Sequence, residues 1–137
     1  MEEATDILYW DDSLALGVAE IDDDHRKLIG LLNELAINIT AHQAREALAV
    51  VLENLLNYTA WHFRHEERLM QTYRFSGYVA HKREHADLIR EASAFQKKFL
   101  DGEQDMTMDV VHLLKEWVLH HVMQTDRQMA EFLAEHM

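Results

Sequence analysis

The feature that most limits how this chain can fold is a set of apolar stripes at helical spacing, each interrupted by histidine or carboxylate. One stripe reads Ile21, His25, Leu28, Leu32, Leu35, Ile39. A second reads Leu48, Leu52, Leu55, Thr59, His62, Glu66, Leu69, Tyr73, and a third His81, His85, Leu88, Ala92, Phe95, Phe99. Alternating steps of three and four residues mark the core-facing line of a packed helix. A polar group buried on that line is costly unless something satisfies it. A metal shared by several imidazoles is the economical way to satisfy so many at once.

Composition supports this. The chain has no proline and four glycines, so long helices meet few breakers. With no cysteine, disulfides and thiolate-bound clusters are excluded, and any metal must be held by nitrogen and oxygen. The 137 residues suffice for one domain with a real core. The net charge of -12 disfavours nucleic acid and anionic membrane as partners. Residues Met1 to Asp6 lack the basic start of a signal peptide, and no apolar run approaches the ~20 residues of a membrane span. The expectation is a cytoplasmic protein, and a charged isolated bundle is compatible with a monomer.

The pattern predicts an all-α, up-down-up-down antiparallel four-helix bundle within one domain, residues 1–137. Residues 1–20 read as an arm that lays Trp10, Leu14, Leu16 and Val18 across the bundle. Helices are expected over about 22–40, 44–73, 77–100 and 107–135. Asp22, Asp23 and Asp24 suit the start of the first helix, and Ser76 the start of the third. Gly102 suits a left-handed stop after the third helix, and Asp105 or Thr107 could cap the fourth.

Ten histidines make any single His-x-x-x-His or His-x-x-x-Glu pair weak evidence. His42–Glu46 and His112–Glu116 have the same spacing without lying on a seam. Placement is what discriminates. His62 and Glu66 lie one turn apart on the second seam, and His81 and His85 one turn apart on the third. His25 adds an imidazole from the first. A lone seam histidine is ordinarily a hydrogen-bonded core residue; a group of inward polar residues at one depth is not. His42, His65, His112 and His136 read as surface. Of the tandem pair His120–His121, His121 fits the stripe of Leu114 and Trp117.

The fourth stripe slips. It enters as Leu114, Trp117, His121 and leaves as Val122, Asp126, Met129, Leu133. Five residues along a regular helix turn a side chain by about 140°. For His121 and Asp126 to face one site, the helix must widen locally, and a π-bulge is expected there.

His25, His62, Glu66, His81, His85, His121 and Asp126 form a donor set suited to iron, manganese or zinc. Seven ligands are too many for one ordinary ion but fit two, with the carboxylates bridging and the imidazoles divided three and two. With a solvent-derived bridge, one ion is left a ligand short. Ferritin-like sites use four carboxylates, whose charge stabilises oxidised iron. This set has only two, which favours ferrous iron and reversible electron transfer to dioxygen.

The stretches Ile21-Asp22-Asp23-Asp24-His25, His62-Phe63-Arg64-His65-Glu66-Glu67, His81-Lys82-Arg83-Glu84-His85 and Trp117 to His121 through Asp126 resemble the bacterial hemerythrins, as does the arm from Trp10 to Gly17. The resemblance spans nearly the whole chain. It implies two iron ions, ferrous without oxygen and ferric in the oxy or met forms, joined by a bridging oxo or hydroxo group. It implies that His81, His85 and His121 hold the saturated iron, His25 and His62 the open one, and that Glu66 and Asp126 bridge. Leu28, Phe63, Trp117, Val118 and Val122 match positions lining the family's oxygen pocket, and they also suit an ordinary core. Met129 departs from the family, where tyrosine is frequent. The implied role is reversible dioxygen binding for storage, transport or delivery rather than catalysis. Two other classes are an oxygen or redox sensor acting through a separate protein, and a di-iron enzyme acting on peroxide or nitric oxide.

Overall fold

The computed structural model describes residues 8–137, so the reading of Met1 to Asp6 lies outside the described residues. Helix α1 spans Ala19–Thr40, α2 Arg45–Thr72, α3 Tyr78–Leu100 and α4 Met108–His120. A π-helical segment, His121–Asp126, follows α4 directly and runs into α5, Arg127–His136. The backbone stays helical through this join, so α4, the π segment and α5 form the fourth rod of an up-down-up-down bundle. No strand occurs among the described residues.

The apolar core is in two parts. One cluster joins Leu28, Leu32, Leu35, Leu48, Leu52, Leu55, Phe99, Val111 and Leu114. The other joins Leu16, Val18, Ile21, Met70, Val122, Met129, Ala130 and Leu133. Because neighbouring helices run antiparallel, the first cluster takes the end of α1 and the start of α2, and the second takes the start of α1 and the end of α2. The polar seam residues fall between them. His25 follows Ile21 and precedes Leu28, while His62 and Glu66 lie between Leu55 and Met70. Met129 is fully buried in the second cluster, where tyrosine would bring a hydroxyl needing a partner.

The arm packs as expected, with Leu14, Leu16 and Val18 buried and the Arg26 guanidinium 4.5 Å from the Trp10 ring centre. Its attachment is polar. The Asn33 side-chain amide donates to the Leu8 carbonyl at 2.8 Å and accepts from the Leu8 N–H at 3.2 Å. A buried asparagine one position off the apolar stripe is thus satisfied by the arm backbone.

Helix starts differ from expectation. Helix α1 begins at Ala19 after Val18, three residues before Asp22. Asp22 and Asp24 are therefore buried within its first turns. Asp22 accepts from the Leu16 N–H at 2.9 Å, tying the arm to the helix instead of capping it. Helix α3 is preceded by Gly77 rather than Ser76, and no side chain caps it. A side chain at Gly77 would lie 2.6 Å from the edge of the Phe75 ring, so a larger residue there would have to displace that ring. Thr107 sits at the cap position of α4 without a side-chain bond, and Asp105 pairs with Arg45 at 2.9 Å. Gly102 adopts φ +80 after α3, as its position predicts.

Candidate metal centre

The π segment coincides with the expected slip: His121 opens it and Asp126 closes it. Both side chains are buried, at 5% and 0% exposure. The extra residue in this turn lets two positions five apart share one face. His120 is exposed, as are His42, His112 and His136.

All seven expected donors come together in the slab between the two apolar clusters. The donor atoms of Glu66, His81, His85, His121 and Asp126 lie within 4.8 Å of one another, as do those of His25, His62, Glu66 and Asp126. The carboxylates belong to both groups, and their oxygens divide accordingly. Glu66 Oε1 lies 3.3 Å from His81 Nε2 and 3.1 Å from His85 Nε2, and Asp126 Oδ1 lies 2.9 Å from His81 Nε2 and 2.8 Å from His121 Nε2. On the other side, Glu66 Oε2 lies 3.0 Å from His62 Nε2, and Asp126 Oδ2 lies 2.8 Å from His25 Nε2.

Three further carboxylates stand behind these imidazoles. His62 Nδ1 donates to Asp24 Oδ2 at 2.8 Å, His85 Nδ1 to Glu67 Oε2 at 2.9 Å, and His121 Nδ1 to Glu84 Oε2 at 2.5 Å. Each comes from the preceding rod and sits next in sequence to a seam donor: Asp24 beside His25, Glu67 beside Glu66, Glu84 beside His85. Such backing fixes the tautomer and turns Nε2 inward. The Phe63 ring also stacks on His85 at 3.8 Å between centres. Sequence reading missed these carboxylates, although an acid adjacent to a seam donor is a usable signal for them. It also placed His65 on the surface. His65 is half-buried and joins Asp24 at 2.6 Å to Glu20 at 2.7 Å, because its position beside Glu66 points it towards α1.

Protonation tests whether this arrangement fits a cation. With Nδ1–H donated outward, neutral His85 and His121 each present an Nε2 lone pair, and the two Nε2 atoms are 3.2 Å apart. Lone pairs facing at that distance repel unless a positive charge lies between them. His25 Nδ1, His62 Nε2, Glu66 Oε2 and Asp126 Oδ1 are buried and make no well-angled hydrogen bond among the described residues, although the last three lie within 3.0 Å of facing groups. Burial alone would push His62 down, but Glu66 and Asp24 outweigh it and raise the imidazole to about 10. His81 is likewise raised to about 9 against burial by Asp126 and Glu66. Burial would push Glu66 up, yet the surrounding imidazoles, His62 foremost, hold it well below its ordinary value. The site thus demands positive charge, from protons or from metal.

This sets opposite pH responses. In metal-free protein the raised His62 and His81 values contribute stability fully present below 6.5, the ordinary imidazole value, and lost as pH rises through about 9 and 10. Metal ligation needs neutral rings, so metal retention should rise over that interval. Thermal denaturation should give a falling midpoint for metal-free protein between pH 7 and 10, while chelator competition shows tighter metal binding. Parallel trends would contradict the assignment.

Removing Asp24 should loosen His62. We expect Asp24→Ala to weaken metal binding by about 10- to 100-fold, the usual effect of losing a carboxylate behind a ligating imidazole. Chelator competition measures this; unchanged affinity would show that Asp24 does not orient the ring.

A cavity of about 70 Å³ abuts the centre, reaching His25 and His62 and also His121. Leu28, Phe63, Trp117, Val118 and Val122 all line it, together with His25 and His62. Its one hydroxyl-bearing side chain, Thr59, donates to the Leu55 carbonyl at 2.7 Å. No helix among the described residues is long and apolar enough to cross a membrane.

The chain is similar in sequence and fold to known proteins. The profile of the hemerythrin HHE cation binding domain matches residues 16–133. A bacteriohemerythrin of Stenotrophomonas maltophilia is 32% identical over 131 residues, spanning 96% of this chain and 84% of that protein. One from Pseudomonas aeruginosa is 35% identical over 121 residues, spanning 87% and 76%. A crystal structure of wild-type hemerythrin superposes with a TM-score of 0.86 at 28% identity, covering 93% of this chain and 98% of that one. On sequence, fold and the convergence of its histidines and carboxylates, this chain belongs to the hemerythrin family.

Proposed function

We propose that this chain binds dioxygen reversibly at a dinuclear non-haem iron centre. The observation that carries the proposal is the division of donors into two overlapping groups sharing Glu66 and Asp126. Under this reading His81, His85 and His121 hold one ion, His25 and His62 hold the other, and the two carboxylates span both. Iron held there would supply the reversible redox chemistry that dioxygen binding requires.

The chain's own residues account for the rest. The two-histidine side is one imidazole short of its neighbour, which leaves room for a small ligand facing the apolar cavity. At about 70 Å³ that cavity suits a diatomic and excludes a bulky substrate. Leu28, Phe63, Trp117, Val118 and Val122 keep bulk water away, and Thr59 directs its hydroxyl elsewhere. Asp24, Glu67 and Glu84 hold three ligating rings in place, so little rearrangement accompanies binding. Only two anions enter the inner donor set, which suits binding better than oxygen activation.

Cycling the iron-loaded protein between argon and air tests the proposal. The starting spectrum should return over repeated cycles with no net oxygen consumed. Steady consumption of oxygen, or turnover of peroxide or nitric oxide, would assign the site to catalysis instead.

A further inference from the structure

A second cavity, with none of its lining residues shared with the first, opens beside His81. It measures about 350 Å³ and runs between the start of α3 and the rod containing the π segment. Ala80, His81 and Glu84 form one wall, and His120, Gln124 and Gln128 the other. His81 is only 3% exposed and separates this groove from the carboxylates, which its Nε2 approaches at 2.9 Å for Asp126 and 3.3 Å for Glu66. Glu84 is 34% exposed and touches the centre through His121.

Resting on the dinuclear reading above, we propose that this groove is the port through which the metal ions enter and leave, with Glu84 as the receiving carboxylate and His81 as the inner gate. A divalent cation carries a tight water shell that it sheds only in exchange for other oxygen or nitrogen donors. The groove, at about 350 Å³, is lined by Glu84, His120, Gln124, Thr125 and Gln128, whereas the 70 Å³ cavity is walled by apolar side chains, so only the groove suits a cation that still carries water. The apolar cavity also offers no free oxygen donor, since Thr59 is engaged with Leu55. The groove presents amides, an imidazole and a carboxylate in succession up to His81. Its outer wall includes Gln124, inside the widened turn, so the segment that brings His121 and Asp126 together also borders the route to them. The two cavities thus divide the traffic: small apolar ligand through one, hydrated cation through the other.

The test compares wild type with Gln124→Leu/Gln128→Leu and with Ala80→Phe, which alter opposite walls at exposed positions. Ferrous iron is mixed anaerobically with metal-free protein, and uptake is followed by tryptophan fluorescence. Release from loaded protein into a ferrous chelator is timed separately, and bound iron is counted at the end. We expect both variants to slow uptake and release by the same factor, at least fivefold, with two irons bound at the end and unchanged affinity. A port alters both rates equally; a structural role alters their ratio. Wild-type rates in either variant, or a change in only one direction, would overturn the port. Wild-type protein that binds no iron would overturn the dinuclear reading itself, a distinct result.

Discussion

Replacing Glu66 with alanine is expected to abolish dinuclear metal binding. Glu66 is fully buried and is the one residue whose two oxygens face His62 on one side and His81 and His85 on the other. Without it, each donor group loses a member and the two ions lose half of the charge that lets them sit together. Asp126 alone would then face five imidazoles. Iron content should fall from two per chain to one or none, and affinity for the remaining ion by about 100-fold, since each donor group loses one buried carboxylate oxygen. Metal analysis after equilibrium dialysis measures this. Retention of two irons would remove Glu66 from its bridging role.

The second large effect should come from inserting one alanine after Gln124, in the π segment. The widened turn already holds one extra residue, and a second turns everything downstream by about 100° relative to α4. If α4 keeps its place, Asp126 leaves the centre and Met129, Ala130 and Leu133, all fully buried, turn out of the second apolar cluster. Exposing the two larger side chains costs about 1.5–3 kcal/mol each, and the midpoint of thermal unfolding should drop by roughly 10–15 °C. If the downstream helix instead keeps its cluster, His121 turns away from the centre, so stability survives and metal binding is lost. One of the two losses must appear in calorimetry or metal analysis. An insertion that preserves both would mean that the bulge does not set the register.

These expectations rest on features unequally visible in the residues. Seam spacing marks the inward donors because burial on a helix has a fixed period, and His25, His62, Glu66, His81 and His85 all sit on it. The slip between His121 and Asp126 is visible for the same reason: only a widened turn reconciles it with one site. The backing carboxylates are harder to see. Asp24, Glu67 and Glu84 lie one position off the seam, where an acid on a surface helix is unremarkable, and they act across to the next rod rather than within their own helix. Asp22 misleads differently. Three aspartates in a row look like a helix start, yet the arm supplies backbone groups that Asp22 satisfies from inside the helix. Asn33 is similar, since its partner is the backbone of Leu8 and no side-chain pattern records it. The groove beside His81 depends on how two rods approach, which periodicity within one rod does not encode.

Whether a pair of irons binds dioxygen reversibly here is decided by metal content per chain combined with the absorption spectrum, recorded anaerobically and then in air. The expected result is two irons per chain, a new visible band on aeration, and its loss when oxygen is removed. Zinc or no metal at the centre, or an aerated spectrum that never reverts, would contradict it.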